Sequence, residues 1–292
     1  MKNKTILLIV FISLAIFIIF GMISCSLVMS YANEKDQNVL DFNFDSEKAT
    51  EAQSAEVSLE GIENIEISTV SSKVILTESD EMLTSKLTFS FFENSAKIKL
   101  SSYVEGDTAY IDIIYPQSFI KIAASTLTVG LPSSFDGNIT VKSVSGDVIG
   151  NLENNLSTFK VDNTSGSLQL SAPRINDVYF KSESGNMDLN TSIESSLSAS
   201  STSGYFTVLS MDNANANVTL KTVSGNVAVV YNETCPTAIE TTSGDIDLAL
   251  LDKSAIWLEF DSVSGDVDGP VRTDPDGIPF DITSVSGGLT FE

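Results

Sequence analysis

Histidine is absent from all 292 residues. That excludes Ser-His-Asp and Cys-His catalytic sites and the usual histidine zinc sites. Basic residues are scarce as well, with 16 Lys and Arg against 39 Asp and Glu and a formal net charge of -23. Nucleic acid is not an expected partner, because binding it needs clustered cations that neutralise phosphates. Anionic polymers are repelled too unless cations bridge them. The acid is concentrated toward the far end, where Lys221, Lys253 and Arg272 are the only cations after Ser201. No GxxxxGK[ST] or GxGxxG run is present to cradle phosphates. Only two cysteines occur, Cys25 and Cys235. The first lies in an apolar run, so a disulfide between them is not expected, and Cys235 reads as a lone small core or loop residue.

Long apolar runs are missing with one exception. Between Thr5 and Asn33 there is no charged residue, and Lys2 and Lys4 precede the run. Residues 6–28 are long enough to cross a hydrocarbon layer of about 30 Å, and their basic end is expected to stay in the cytoplasm. Two processed readings stand beside an uncleaved anchor: signal cleavage after Ala32, with small Ser30 and Ala32 at the right spacing, and lipidation at Cys25. Residues 31–58 are polar and acidic without a sustained period, and read as a flexible linker.

What the chain has in abundance is a repeat. A Ser-Gly dipeptide recurs with its glycines at Gly146, Gly166, Gly185, Gly204, Gly225, Gly244, Gly265 and Gly287, at intervals of 20, 19, 19, 21, 19, 21 and 22 residues. Five residues before each glycine stand Val141, Val161, Phe180, Ala199, Leu220, Ile239, Phe260 and Ile282. Two after it come Val148, Leu168, Met187, Phe206, Val227, Ile246, Val267 and Leu289. Alternation on both sides of the glycine predicts two short strands per repeat, each with one face in a core. The glycine marks a corner, through positive φ or a close backbone approach, and nearby hydroxyls can bond the turn.

One such unit cannot bury its own apolar face, so a fixed period in this range predicts a stack of coils. Hairpin meanders use two-residue turns, whereas residues 151–160 are long enough to return the chain for parallel stacking. Eight coils would span roughly 38 Å. Residues 65–76 match the pattern with Ser72 in place of glycine, so the coils begin there. The expected organisation is an anchor or signal segment at 1–30, the linker at 31–58 and one all-β domain at 59–292. Within that domain, 59–140 is irregular and 141–292 carries the eight regular repeats. The fold class is a single-stranded β-solenoid, resembling a parallel β-helix, of about 20-residue coils preceded by one transmembrane helix.

Stacking in chain order makes specific neighbours. The outward position four before the glycine reads Lys142, Asp162, Lys181, Ser200, Lys221, Glu240, Asp261 and Thr283. Its first members alternate in sign, but Glu240 and Asp261 would be like-charged neighbours. Asp245 would adjoin Asp266, and Asp247 would adjoin Asp268, each about 5 Å apart, close to the separation of retaining glycosidase pairs. These four are the candidates for carboxylate catalysis, and with Asp274 and Asp276 of the Asp-Pro-Asp-Gly run they are the candidate calcium ligands. The competing reading is that Asp after Ser-Gly is simply a good turn residue. Two before the glycine, Val144, Thr164, Thr202, Val223, Thr242, Val263 and Val285 form an outward β-branched stripe interrupted by Glu183. It suits strand propensity or a flat docking surface. The last coil ends at Glu292 with no evident cap, and its strand edges invite self-association or a covering segment.

The repeats at 141–150, 239–248 and 260–269, with a degenerate start at 67–76, follow an apolar-x-Ser/Thr-x-Ser-Gly-Asp-apolar pattern. In this the chain resembles the bacterial "putative adhesin" family over residues 62–292. The resemblance implies a β-solenoid at the outer face of the cell membrane, with a protein or cell-envelope polymer as partner. It implies no catalytic residues. The implied function is a non-enzymatic binding or scaffold role in adhesion, envelope organisation or envelope-stress signalling, with a carbohydrate-active β-helix as the alternative. No cofactor is expected, with calcium at the six carboxylates named above as the alternative. The sequence departs from the Asp of the pattern at Ser167, Asn186, Tyr205, Asn226 and Gly288.

Overall fold

The computed structural model describes residues 48–92, 98–115 and 122–292. The apolar run at 6–28, the cleavage position after Ala32 and Cys25 lie outside the described residues. Among the described residues no helix is long and apolar enough to cross a membrane.

Each Ser-Gly corner separates two strands, as the alternation requires. The strands before the corners are β8 (Asn138–Ser143), β10 (Asn155–Asn163), the second part of β11 (Leu168–Ser184), the second part of β12 (Met187–Ser203), β14 (Asn217–Ser224), β16 (Thr237–Ser243), β18 (Ile256–Ser264) and β20 (Ile278–Ser286). Those after the corners are β9 (Val148–Asn151), the first parts of β11 and β12, β13 (Phe206–Met211), β15 (Val227–Tyr231), β17 (Ile246–Leu250), β19 (Val267–Asp268) and β21 (Leu289–Phe291). The coil with Ser72 at its corner supplies β2 (Asn64–Ser68) and β3 (Lys73–Ser79). Like strands pair in parallel, forming two columns that share one apolar core. The chain's return is shorter than residues 151–160 suggested. β11 and β12 run from one column directly into the next coil of the other, with register shifts between Ser171 and Arg174 and between Ile175 and Asp177 where they bend.

The layers do not follow chain order. In the first column the succession is β2, β8, β10, β11, β12, β14, β16, then β20 and only then β18. The second column repeats it, with β21 seated between β17 and β19. The coil of β20 and β21 is therefore held on both sides, and among the described residues the bare end belongs to the coil before it. This corrects the expectation that the segment ending at Glu292 would be the open edge. The physical reason lies in the outward charges: Thr283 of β20 registers with both Glu240 and Asp261, so the two acids predicted to touch are separated.

A matching exchange occurs at the other end. The segment between β3 and β8 contains β4 (Leu83–Phe92), β5 (Lys99–Glu105), β6 (Thr108–Ile114) and β7 (Ile122–Pro132). Strands β6 and β7 pair in parallel outside β2 and β3, so the first coil is also one layer in from the end. Antiparallel strands then close that end: β5 on β6, β4 on β7, and β1 (Lys48–Val57) on β4. Residues 48–57, read as linker from composition, are thus part of the folded unit. Gln53 of β1 bridges to β5, its Nε2 donating to the Ile98 carbonyl at 2.9 Å and its Oε1 accepting from the Leu100 amide at 2.7 Å.

The inward positions are buried as the period-two pattern demands. Val141, Val161, Phe180, Leu220, Ile239 and Ile282 are all within the core, and so are Val148, Leu168, Met187, Phe206, Val227, Ile246 and Leu289. Stacking brings Phe180 edge-on to Phe206 at 6.2 Å between ring centres. Tyr231 lies 5.6 Å from Phe280 of the inserted coil.

Candidate functional site

The eight corner glycines stand in one file. A methyl group on Gly166 would overlap the carbonyl of Gly146, one on Gly204 that of Gly185, one on Gly287 that of Gly244, and one on Gly265 that of Gly287. Close approach of backbones between layers is therefore the requirement, and it fixes glycine at each corner. Gly146 meets the carbonyl of Ser72, the one corner that carries a side chain. There the phenol of Tyr115 takes up the space, exchanging hydrogen bonds with Thr69 Oγ1 at 2.7 Å and Ser72 Oγ at 2.8 Å and accepting from the Ser71 amide. Burial would raise its pKa, but the hydrogen bonds from Ser72, Thr69 and Ser71 outweigh this and hold it below that of an ordinary tyrosine.

The residue after each glycine forms a second file, and its chemistry decides the role of the candidate carboxylates. Asp147 Oδ1 accepts from the Ser167 amide at 2.9 Å, Ser167 Oγ from Asn186, and Asn186 Oδ1 from Tyr205. Asn226 Oδ1 accepts from the Asp245 amide and Asp245 Oδ1 from the Gly288 amide, each at 3.1 Å. Where Asp, Asn or Ser holds this position in these layers, its side-chain oxygen accepts from the next layer's amide, and the ladder stops at Tyr205 and Gly288, which offer no such acceptor. The departures from Asp at Ser167, Asn186 and Asn226 are thus members of the same ladder. Asp245 is a link between layers.

The predicted carboxylate pairs do not form. Gly288 lies between Asp245 and Asp266, and Thr290 registers with both Asp247 and Asp268. One layer lies between the members of each pair, so they stand two spacings apart, about 10 Å instead of the 5 Å expected from chain order. The retaining-glycosidase separation is lost with the layer exchange. Asp268 Oδ1 accepts from the amide of Gly269, and Asp274 Oδ1 from the amide of Asp276, so both make local turns. Among the described residues no group of three or more carboxylate or thiol side chains is placed to hold a metal ion.

The return bends carry further links that composition alone did not reveal. Asn213 Nδ2 donates to the Glu194 carbonyl at 2.8 Å, and Asp252 receives the amide and hydroxyl of buried Thr234 at 2.9 and 2.6 Å. Slight desolvation of Asp252 opposes its ionisation, but the bonds from Thr234 and Ser254 prevail and hold its pKa at about 2. Cys235 is buried, and its desolvation pushes the thiol up to about 11, which leaves it inert. Along the outward charge column, Lys221 meets Glu240 at 2.8 Å, and Lys142, in register with Asp162 as expected, reaches Glu66 at 2.6 Å.

Among the exposed apolar side chains, two groups follow from the stacking. The outward stripe keeps Val144, Val223, Val285 and Val263 in solvent, with Val285 and Val263 in adjacent layers. The bare final layer exposes Trp257 by 56 % and Val263 by 82 %, and leaves Leu258, Phe260 and Val267 incompletely covered. Sequence reasoning placed the open edge one coil too late. The clash between Glu240 and Asp261 was the available signal.

The family model described as Toastrack DUF4097 matches residues 56–277. No curated protein matches the chain. Among solved structures, the chain is similar to a "putative adhesin" from Parabacteroides distasonis, at 12 % identity and TM-score 0.45, over 84 % of this chain and 98 % of that one. A "putative adhesin" from Bacteroides fragilis gives 14 % identity and TM-score 0.40, over 85 % and 99 %. A "putative lipid binding protein" from Parabacteroides distasonis gives 15 % and 0.43, over 83 % and 96 %.

Proposed function

This chain belongs to the Toastrack DUF4097 family, and from that premise we propose that it is a non-enzymatic binding or scaffold protein on the outer face of a bacterial cell membrane. Residues 6–28 anchor it there, and the β-domain works through its surface in adhesion, envelope organisation or envelope-stress signalling. The observation that carries this reading is the division of labour among side chains. Asp147 and Asp245 are tied into bonds between layers, whereas Val223, Val263 and Val285 stand in solvent. A row of exposed apolar groups suits docking, and the carboxylate candidates lack the close pairing of a retaining glycosidase.

The test is a triple substitution, Val223→Thr, Val263→Thr and Val285→Thr, in the membrane-borne chain. Attachment of cells to their partner surface is expected to fall by about tenfold, a loss of about 1.4 kcal/mol, with the melting temperature unchanged. Release of reducing ends from polysaccharides is expected to stay at background for the parent chain. Measurable hydrolysis that disappears in Asp245→Asn would overturn the reading.

A further inference from the structure

The final layer offers more than exposed apolar area, and the inference drawn from it rests on the binding role proposed above. Strand β18 is paired along one side with β20. On its other side the only contact among the described residues is at Ile256, whose amide donates to the Arg272 carbonyl at 3.0 Å and whose carbonyl accepts from the Asp274 amide at 2.9 Å. Ile256 thus turns its backbone polar groups away from β20. By the alternation of a parallel strand, Leu258, Phe260 and Ser262 turn theirs the same way. The segment 272–274 covers the first of these positions and stops.

The inward side chains beside this edge are unfinished too. Leu258 and Phe260 register with Phe280 and Ile282 of the adjacent layer. Those two are buried, while Leu258 and Phe260 are only partly so. One more strand would pair the open backbone groups and cover Leu258 and Phe260, with its inward residues apolar and its backbone aligned to β18.

Charge identifies the occupant. The outward residues of β18 include Glu259 and Asp261, and Arg272 is the only cation from residue 256 to the C-terminus. A second copy of the edge would set Glu259 and Asp261 against their own kind. Residues 31–47 of the same chain carry five acids and only Lys35, and β1 carries Glu51 and Glu56. We propose that the outer edge of β18 is a strand-addition site for an extended segment of another protein in which apolar residues alternate with lysine or arginine. Main-chain hydrogen bonds hold the segment, Leu258 and Phe260 receive its apolar side chains, and Glu259 and Asp261 select its charge.

Trp257 is the sole tryptophan of the chain and lies on this strand, so its fluorescence reports occupancy directly. The full chain in detergent would be titrated with a nine-residue peptide of alternating valine and lysine. Parallel titrations would use the valine-glutamate peptide and a valine-lysine peptide methylated on alternate backbone nitrogens. Saturable change of Trp257 emission is expected with the first peptide alone, together with about tenfold slower amide exchange at Leu258, Phe260 and Ser262. The variant Glu259→Lys/Asp261→Lys, on the surface and free of core contacts, is expected to reverse the preference toward the glutamate peptide. Equal binding of the methylated peptide, an unchanged preference in the reversed variant, or protection elsewhere would overturn the proposal. So would concentration-dependent dimers that protect these same amides, which would give the edge to a second copy. Absence of peptide binding in a chain that still supports cell attachment would sink the strand-addition site and leave the broader binding reading intact.

Discussion

The two ends of the stack are built from the same exchange of layers and finished differently. At each end the terminal coil of the repeat pattern is tucked one place inward, β2–β3 inside β6–β7 and β20–β21 inside β18–β19. At the first end, β5, β4 and β1 then turn antiparallel over the outer layer, and Gln53 joins β1 to β5. At the other, a few residues around Thr273 meet Ile256 and nothing further among the described residues continues the sheet. Parallel coils leave an edge wherever they stop, so a stack must close it or present it. This protein does one at each end. The difference teaches that an open edge in a repeat protein is informative when the same chain holds the means of closing one.

The largest effect is expected from breaking the inserted coil. Phe280 is 1 % exposed and packs on Tyr231. Phe280→Ala is expected to cost about 3 to 5 kcal/mol, read from the denaturant midpoint. Hydrogen exchange is expected to rise in β20 and β18 while β2 and β8 keep their protection, because neighbouring layers fail together in a linear stack. At the closed end the effect is smaller. Gln53→Ala removes two hydrogen bonds in a partly buried setting and is expected to cost about 1 to 3 kcal/mol. Faster exchange of the Leu100 amide would mark the loss, and an unaltered rate would show that β1 and β5 are held by other contacts.

The smallest effect concerns acid. Asp252 has its pKa depressed from 3.8 to about 2 by the donors of Thr234 and Ser254. Its contribution is present above about pH 4 and lost as the pH falls toward 2, since protons bind more readily to the unfolded chain. The side chain is largely in solvent, so the effect is discounted to about 1 kcal/mol or less. Melting curves of the parent and Asp252→Asn are expected to converge near pH 2 and separate above pH 4.

Much of the local structure was legible because a strand with one face in a core writes a period of two. Val141, Phe180 and Ile239 before the corners, with Met187 and Val227 after them, were all placed on the buried side by that pattern. The glycine file was equally plain, since only a shared backbone constraint puts glycine at so many equivalent points. The order of the layers was not. Every coil offers its neighbours nearly the same surface, so Ile282 and Phe260 satisfy the register with Ile239 equally well. What distinguishes them is a longer connection before β20 and the repulsion between Glu240 and Asp261, both weak against the uniform pattern. The candidate pairs Asp245 with Asp266 and Asp247 with Asp268 failed for the same reason, as their proximity depended on layer order alone. β1 escaped notice because Lys48–Val57 contains Ala, Ser and Glu in place of the β-branched residues that mark strands.

The inward seat of β20–β21 also bears on the path by which the chain matures. Synthesis runs from the N-terminus, so residues 256–268 emerge before residues 278–291 exist. At that moment the exposed side of β16–β17 is the only layer waiting, and Phe260 and Val267 match its register. The later residues must then displace or forestall this first docking to reach their own place. Maturation waits on residues 278–291, and a chain cut short before them would hold its last strands against the wrong neighbour.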